Sequence, residues 1–312
     1  MEQKKDGEDR LPRCSLCSRP SVIRLRDPCR HLCADHFCED LAGRVKKTVY
    51  LSAMIAEGDR IAVAFSGGKD STALLLVLND LLPSWRDVTL VAITVDEGIA
   101  GYRDETVQCA ENIAKEWGIE HHVVSFSSLF RRDLDRILEG REERACSICG
   151  ILRRKALSSV AEDAGATKIA TGHNLDDEAQ SVLMNALRGD LARFVRDSSS
   201  PFGQCFIPRI KPLREISEKE IAVYLMVRGY FPELPECPYT RYALRAGVRA
   251  HLSALEFRHP GTMQNLIAGK QRLATTLAPV LSGSPITTCR ECGEPCSGTT
   301  CQACDLLKKI LP

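Results

Sequence analysis

The sequence predicts an α/β fold, a doubly wound parallel sheet, with a small cysteine-rich module at each end of the chain. Three observations point there. Short β-branched runs alternate with amphipathic segments between about residues 60 and 187, the pattern of β-α units whose strands are buried on both faces. A glycine-rich turn joins the first such strand to its helix, and cysteines paired at CxxC spacing cluster at both termini.

Taken in order, the spacing predicts a lead-in helix over 41–56, then strand 60–65, helix 71–82, strand 88–95, helix 102–117, strand 121–126, helix 147–164, strand 167–171 and helix 176–187. Past Arg188 the pattern loosens into a Ser/Gly/Pro-containing loop over 196–208. A helix opened by the capping box of Ser217 and Glu220 follows, and then a segment with three prolines over 231–239. Two further helical patterns cover 240–256 and 262–281. The expected organisation is a disordered tail (1–13), a cysteine-rich module (14–40), a larger α/β domain (41–285) and a second cysteine-rich module (286–312).

Lys and Arg number 42 against 41 Asp and Glu, a formal charge of +1, so charge alone predicts no nucleic-acid partner. That neutrality is an average. Residues 188–214 carry six basic side chains against two acidic, and residues 241–258 carry four against one, two stretches that suit phosphate contact or a solvated helix face. The longest apolar run, 73–78, falls far below the roughly 18 residues of a membrane span. No apolar segment opens the chain, so a cytoplasmic protein without membrane association is expected. The 15 cysteines, odd in number and paired as CxxC, fit a reducing compartment and not a disulfide framework.

Directly after the 60–65 strand stand Ser66, Gly67, Gly68, Lys69, Asp70 and Ser71, and a helix begins at once. Two glycines let the backbone approach a phosphate, helix N-terminal amides point at it, and Lys69 with the serine hydroxyls adds charge and donors. Ligands of doubly wound sheets bind at the carboxyl ends of the strands, where Ser66, Asp96 and Gly172 fall. Cys146 and Cys149 begin a helix and Cys237 lies in a proline-rich turn. Three thiols are one short of a closed tetrahedral site. They suit a redox dithiol with a free thiol, half of a zinc site, or an iron-sulfur cluster with one iron left open. At the ends, Cys14, Cys17, Cys33 and His36 have structural zinc spacing, as do Cys289, Cys292, Cys301 and Cys304, where Gly293 follows the second ligand. Cys29, His31 and Cys38 are alternative ligands at the first site and Cys296 at the second. Cys109 and Cys205 match no motif and read as core or loop residues.

The SGGKDS turn resembles the PP-loop of the N-type ATP pyrophosphatases, and Thr171-Gly172-His173-Asn174-Leu175-Asp176-Asp177-Glu178 resembles the second signature of their tRNA-modifying branch. With the cysteine triplet and both end modules, residues 14–304 resemble the TtuA-type tRNA 2-thiouridine synthetases. The resemblance implies a PP-loop/HUP-like domain that adenylates the uridine C2 oxygen with ATP and Mg²⁺. It implies a [4Fe-4S] cluster on Cys146, Cys149 and Cys237, two Zn²⁺ ions at the ends, and sulfur delivered through the cluster. Lys69 and Asp177 are the implied catalytic side chains beside the three cysteines. Ser66, Gly67, Gly68, Lys69, Asp70, Ser71, Asp96, Gly172, His173 and Asp177 form the implied nucleotide site. Arg153 occupies a place where the family carries a basic residue. Implied partners are tRNA and, as sulfur donor, a ubiquitin-like carrier protein or inorganic sulfide, with the enzyme a homodimer. The alternatives are a tRNA 2-thiocytidine synthetase, or a zinc-ribbon RNA-binding protein with a regulatory nucleotide site.

Overall fold

The computed structural model describes residues 12–26, 28–195, 207–230, 235–242, 244–277, 287–296 and 298–310. The expectations for the 1–13 tail, save its last two residues, and for Cys205 fall outside them. The described chain opens with an antiparallel pair, β1 (Ile23–Arg26) and β2 (Cys29–Leu32), in which Ile23 faces Leu32. Helix α1 (Ala34–Leu51) follows, with Cys33 as its N-cap. The helix expected over 41–56 therefore begins seven residues earlier and ends five earlier. His36 and Cys38, expected in the cysteine-rich module ahead of the helix, lie in its first turns. The reason is packing: Phe37, Leu41, Val45 and Val49 form a buried stripe at helical spacing that starts before residue 41.

The central sheet is wholly parallel. Its strands are β3 (Arg60–Ala64), β4 (Thr89–Asp96), β5 (Glu120–Ser125), β6 (Lys168–Ala170) and β7 (Arg209–Ile210), in the order β5-β4-β3-β6-β7. Helices α2 (Lys69–Leu81) and α3 (Arg103–Glu116) connect the first three strands. The path from β5 to β6 runs through α4 (Phe126–Phe130), α5 (Leu134–Leu138) and α6 (Ala145–Asp163). Each predicted strand and helix of this series is present with shifted ends. The two short helices α4 and α5 and the two-residue strand β7 escape periodicity because they span too few residues to repeat.

Strand alternation divides the core into two. Ile61, Val63 and Phe65 face one side, where α1, α2 and α3 pack; Ala62, Val91, Ile93 and Val95 face the other, against α6. After β6 come α7 (Leu175–Leu187), α8 (Leu191–Val195) and, past β7, α9 (Glu218–Val227), α10 (Leu244–Arg258) and α11 (Thr262–Leu277). Helix α9 opens on the predicted capping box, Ser217 Oγ accepting from the Glu220 amide at 3.3 Å and Glu220 accepting from the Ser217 amide at 2.9 Å. A small third core joins Leu175 and Ala179 of α7 to Leu252 and Met263. The C-terminal module consists of β8 (Thr287–Thr288), β9 (Pro295–Cys296) and α12 (Gln302–Ile310), whose Leu306, Leu307 and Ile310 pack on the α6 side of the sheet. No helix among the described residues is long and apolar enough to cross a membrane.

The strand order reverses between β3 and β6, so the loops leaving their carboxyl ends lie side by side. Gly67, in the first of these, has φ +81°, and a Cβ there would stand 2.4 Å from the Thr106 carbonyl oxygen of α3. Gly67→Ala is expected to destabilise the protein by at least about 1–2 kcal/mol, the ordinary cost of left-handed backbone for an L-residue, with the backbone collision added. Denaturant unfolding checks this, and an unchanged midpoint would contradict it.

Candidate nucleotide and metal sites

The two strand-end loops meet at Gly172. A Cβ on it would lie 3.0 Å from the carbonyl carbon and oxygen of Asp70 and 3.1 Å from the Ser71 nitrogen, so only glycine allows this approach without displacement. Asn174, 2% exposed, ties the loops together: its Nδ2 donates to Asp70 Oδ1 at 3.0 Å, and its Oδ1 accepts from the Asp177 amide at 2.9 Å. Within the first loop, Ser66 Oγ and Ser71 Oγ lie 3.1 Å apart, the Ser71 hydroxyl donates to the Gly68 carbonyl at 2.9 Å, and the Gly68 amide donates to Ser66 Oγ at 3.3 Å. The first-turn amides of α2 have no partner within the helix and face this crevice, as an anion site requires.

Lys69 is the central cation. Its Nζ lies 2.7 Å from Asp70 Oδ2 and 2.9 Å from Glu218 Oε1. Burial works against its charge, but the two carboxylates outweigh it and raise the ammonium above its usual range. Glu218 also pairs with Arg249 of α10, and its amide donates to Asp176 Oδ2 at 2.8 Å. Asp177 is the third residue of α7; Asn174 and Asp177 form a capping box, and Asp177 Oδ1 meets Arg245 Nη1 at 3.0 Å. Lys211 Nζ reaches Glu178 Oε1 at 2.5 Å. The basic stretches noted in the sequence thus send Lys211, Arg245 and Arg249 inward onto carboxylates of the crevice.

Burial raises the Asp176 carboxyl and lowers the His173 imidazole, Lys211 adding to the latter. His173 Nδ1 lies 2.9 Å from Thr171 Oγ1. Asp96 ends β4 and accepts the Gly98 amide on Oδ1 at 2.8 Å. Of the expected nucleotide-site residues, all except Asp96 belong to the two touching loops or to the first turns of the helices they open, and Asp96 ends the strand next to β3. Sequence reasoning missed Asn174 as a linker, and missed Glu218, Arg245 and Arg249. Asn174 stood inside the quoted motif; the other three lie at least forty residues beyond it and only tertiary packing brings them in.

The cysteine triplet lies on the same edge of the sheet. Helix α6 runs antiparallel to the strands, so its N-terminus, with Cys146 and Cys149 one turn apart, stands at their carboxyl ends. Cys146 Sγ is 3.9 Å from the Tyr239 carbonyl, and Tyr239 donates its hydroxyl to Asp135 at 2.7 Å, which holds the turn carrying Cys237 over α6. Burial pushes the Cys149 thiol up to about 11 against the opposing effect of Arg153, and pushes Cys237 upward too.

At the ends of the chain, two quartets draw their ligand atoms within 4.8 Å of one another: Cys14, Cys17, Cys33 and His36, and Cys289, Cys292, Cys301 and Cys304. A tetrahedral ion with metal-sulfur bonds of about 2.3 Å needs sulfur-sulfur edges of about 3.8 Å. Cys17 and Cys33 are 3.7 Å apart, as are Cys292 and Cys301, and His36 Nδ1 is 3.4 Å from both Cys14 and Cys33. Burial opposes ionisation of Cys14, yet the amides of Cys33, Leu16 and Cys17 with His36 lower it to about 5. At the other end the Cys301 amide, against burial and with the Glu291 and Cys292 amides, lowers Cys289 to about 6. Gly293 has φ +74° in the knuckle turn. Cys29, Cys38 and Cys296 stand outside both quartets, and Cys109 packs half-buried against the α1 side of the core.

A PP-loop domain model matches residues 39–249. The tRNA 2-thiolation protein NcsA of Haloferax volcanii is 35% identical over 316 residues, covering 95% of this chain and 98% of that protein. This chain belongs to the PP-loop family of tRNA 2-thiolation proteins. Cytoplasmic tRNA 2-thiolation protein 1 of Mus musculus is another relative, 38% identical over 307 residues, 95% of this chain and 72% of the mouse protein. Among solved structures, the U34-tRNA thiolase NcsA from Methanococcus maripaludis with its [4Fe-4S] cluster superposes with a TM-score of 0.82 at 31% identity, covering 96% of each chain. The PP-loop match ends within α10, so Arg245 and Arg249 lie inside it and α11 with the C-terminal module lies beyond.

The lowered pKa of His173 carries a pH dependence. The unfolded chain takes up this proton first, near pH 6.5, so the imidazole's contribution lowers stability as pH falls from there toward the folded-state value. His173→Gln is expected to lose less stability than wild type over that interval. Urea unfolding at a series of pH values measures the difference, and parallel curves would contradict the assignment.

Proposed function

We propose that this chain is a cytoplasmic tRNA 2-thiouridine synthetase. The supporting observation is that one edge of one sheet carries both a phosphate-binding crevice and three cysteines, in a chain that matches a cluster-containing tRNA thiolase over nearly its whole length. The reaction has two halves. The uridine C2 oxygen attacks the α-phosphorus of ATP, pyrophosphate leaves, and a sulfur nucleophile then displaces AMP at C2. Adenylation converts a poor leaving group into a good one.

The loop amides with Ser66, Ser71 and Lys69 hold the phosphates and stabilise the charge that develops on them. Gly172 and Asn174 keep the second loop against the first, so Asp177 faces the same nucleotide. Asp177 and its neighbours Asp176 and Glu178 offer the hard oxygen donors that Mg²⁺ takes, and the ion would offset phosphate charge. Arg245 then exchanges Asp177 for an incoming phosphate of ATP or tRNA. The backbone at the end of β4, with Asp96, borders the adenosine. The target uridine must leave its base stack to present C2 in the crevice.

Cys146, Cys149 and Cys237 fit a [4Fe-4S] cluster: they are three thiols, brought to one end of α6 by the turn that seats Tyr239 on Cys146, and three leave one iron without a protein ligand. When bound, that cluster supplies the site from which sulfur is transferred. The protein's part is to hold the three thiolates at the carboxyl edge, with Cys149 buried, Cys237 half-buried and Cys146 exposed. The sulfur arrives from a ubiquitin-like carrier or as inorganic sulfide. Each end quartet holds one structural Zn²⁺, with four protein ligands and no open position.

Mass spectrometry of tRNA nucleosides tests the activity. Lys69→Ala, Asp177→Asn and Cys146→Ser are each expected to lower 2-thiouridine formation at least ~100-fold, the scale of losing one transition-state donor. Asparagine at 177 keeps the helix cap. Loss of 2-thiocytidine in place of 2-thiouridine would reassign the substrate, and full activity of all three variants would overturn the reading. Metal analysis tests the ends: Cys33→Ser and Cys301→Ser are each expected to lose one of two zinc ions per chain, and retention of both would exclude these ligand sets.

A further inference from the structure

Glu97 follows the last residue of β4 and is 1% exposed, yet it takes no part in the nucleotide crevice. Its Oε1 lies 2.5 Å from Arg153 Nε of α6, and its Oε2 lies 2.7 Å from Arg103 Nε of α3. The second contact is within ion-pairing distance but not aligned as a hydrogen bond. Arg103, 3% exposed, spends its other nitrogens on the Val95 carbonyl and on Thr106 Oγ1 at 2.9 Å. On the same guanidinium, Arg153 Nη2 donates to Cys149 Sγ at 3.2 Å.

One carboxylate with two guanidiniums leaves a single positive charge. Arg103 alone would balance Glu97, and it is the buried partner; the Arg153 side chain is half exposed. The second guanidinium is therefore surplus to charge balance in the core, and its free end meets a thiol. The planar fork of arginine spans both contacts at once, carboxylate through Nε and sulfur through Nη2, which an ammonium cannot do.

We propose that Arg153 is a positioning residue for the three-cysteine site, donating a charge-assisted hydrogen bond to the Cys149 sulfur while the buried Glu97 fixes its orientation through Nε. This rests on the reading of Cys146, Cys149 and Cys237 as cluster ligands. A cationic N–H on a ligand thiolate withdraws negative charge from it, stabilising the reduced cluster over the oxidised one and raising the reduction potential. Fixing the side chain that carries the ligand also slows its departure.

The test uses the full chain, reconstituted anaerobically with iron and sulfide, as wild type, Arg153→Met, Arg153→Lys, Glu97→Gln and the Glu97→Gln/Arg153→Met double variant. Two readouts are independent of thiolation: the potential from an EPR-monitored redox titration, and the rate at which visible cluster absorbance is lost to an iron chelator. Arg153→Met keeps the aliphatic stem of a half-exposed residue, and thermal melting verifies its fold. Its cluster is expected to be lost roughly 10- to 100-fold faster, with the potential shifted negative. Arg153→Lys falls between this variant and wild type. Glu97→Gln also accelerates loss, and the double variant loses its cluster no faster than Arg153→Met, because Glu97 acts through Arg153. A wild-type rate and potential in Arg153→Met, or additive losses in the double variant, overturn the proposal while leaving the cluster reading intact. A wild-type protein that takes up no cluster overturns both.

Discussion

Much of the molecule is arranged around one close approach, that of the loop after β3 to the loop after β6. It requires a glycine at 172, because a Cβ there would press on the Asp70 peptide. It also requires β3 and β6 to be neighbours, which the sheet order provides at the point where the winding reverses. The buried Asn174 then holds the distance by bonding Asp70 with one end and the α7 amide of Asp177 with the other. From this contact follow the shared direction of α2 and α7, whose N-termini open on one crevice, and the position of α9, whose first residue Glu218 reaches both Lys69 and the Asp176 region.

The crevice is densely charged, yet its cations are mostly partnered. Lys69 lies between Asp70 and Glu218, Glu218 meets Arg249, Asp177 meets Arg245, and Glu178 meets Lys211. An entering polyphosphate therefore exchanges partners with carboxylates instead of meeting bare charges. Such exchange weakens simple affinity but makes binding depend on the geometry of several groups at once, since each displaced carboxylate must find a new cation or metal. The α10 arginines couple the helical part of the chain to the nucleotide loop by the same route.

The end modules are built into the domain and do not hang from it. Helix α1 carries His36 in its first turn and then runs its apolar stripe into one core; α12 follows Cys301 and packs Leu306, Leu307 and Ile310 into the other. Each face of the sheet is thus closed by a helix that begins at a cysteine quartet. Lys155 of α6 reaches Glu294 at 2.9 Å, and Ile151 packs against the second quartet, so the C-terminal module braces the helix that carries Cys146 and Cys149. A module that cannot bury enough surface alone gains order from its metal ligands and from this docking.

Local chemistry made much of this legible in the sequence. Six consecutive residues, 66–71, announced a phosphate turn because its glycines, serines and lysine are consecutive neighbours; the capping box at Ser217 and Glu220 and the CxxC pairs are likewise short-range patterns. Periodicity located the strands and long helices, since burial repeats every two or every 3.6 residues. It misplaced the start of α1, where ligand and core residues share one helix, and passed over α4, α5 and β7, which are too short to repeat. What the tertiary structure alone decided are the contacts between residues distant along the chain: Asn174 on Asp70, Arg245 on Asp177, and Glu97 on Arg153. No spacing encodes these, because they depend on which strands lie side by side and on which buried charge must find a partner when they do.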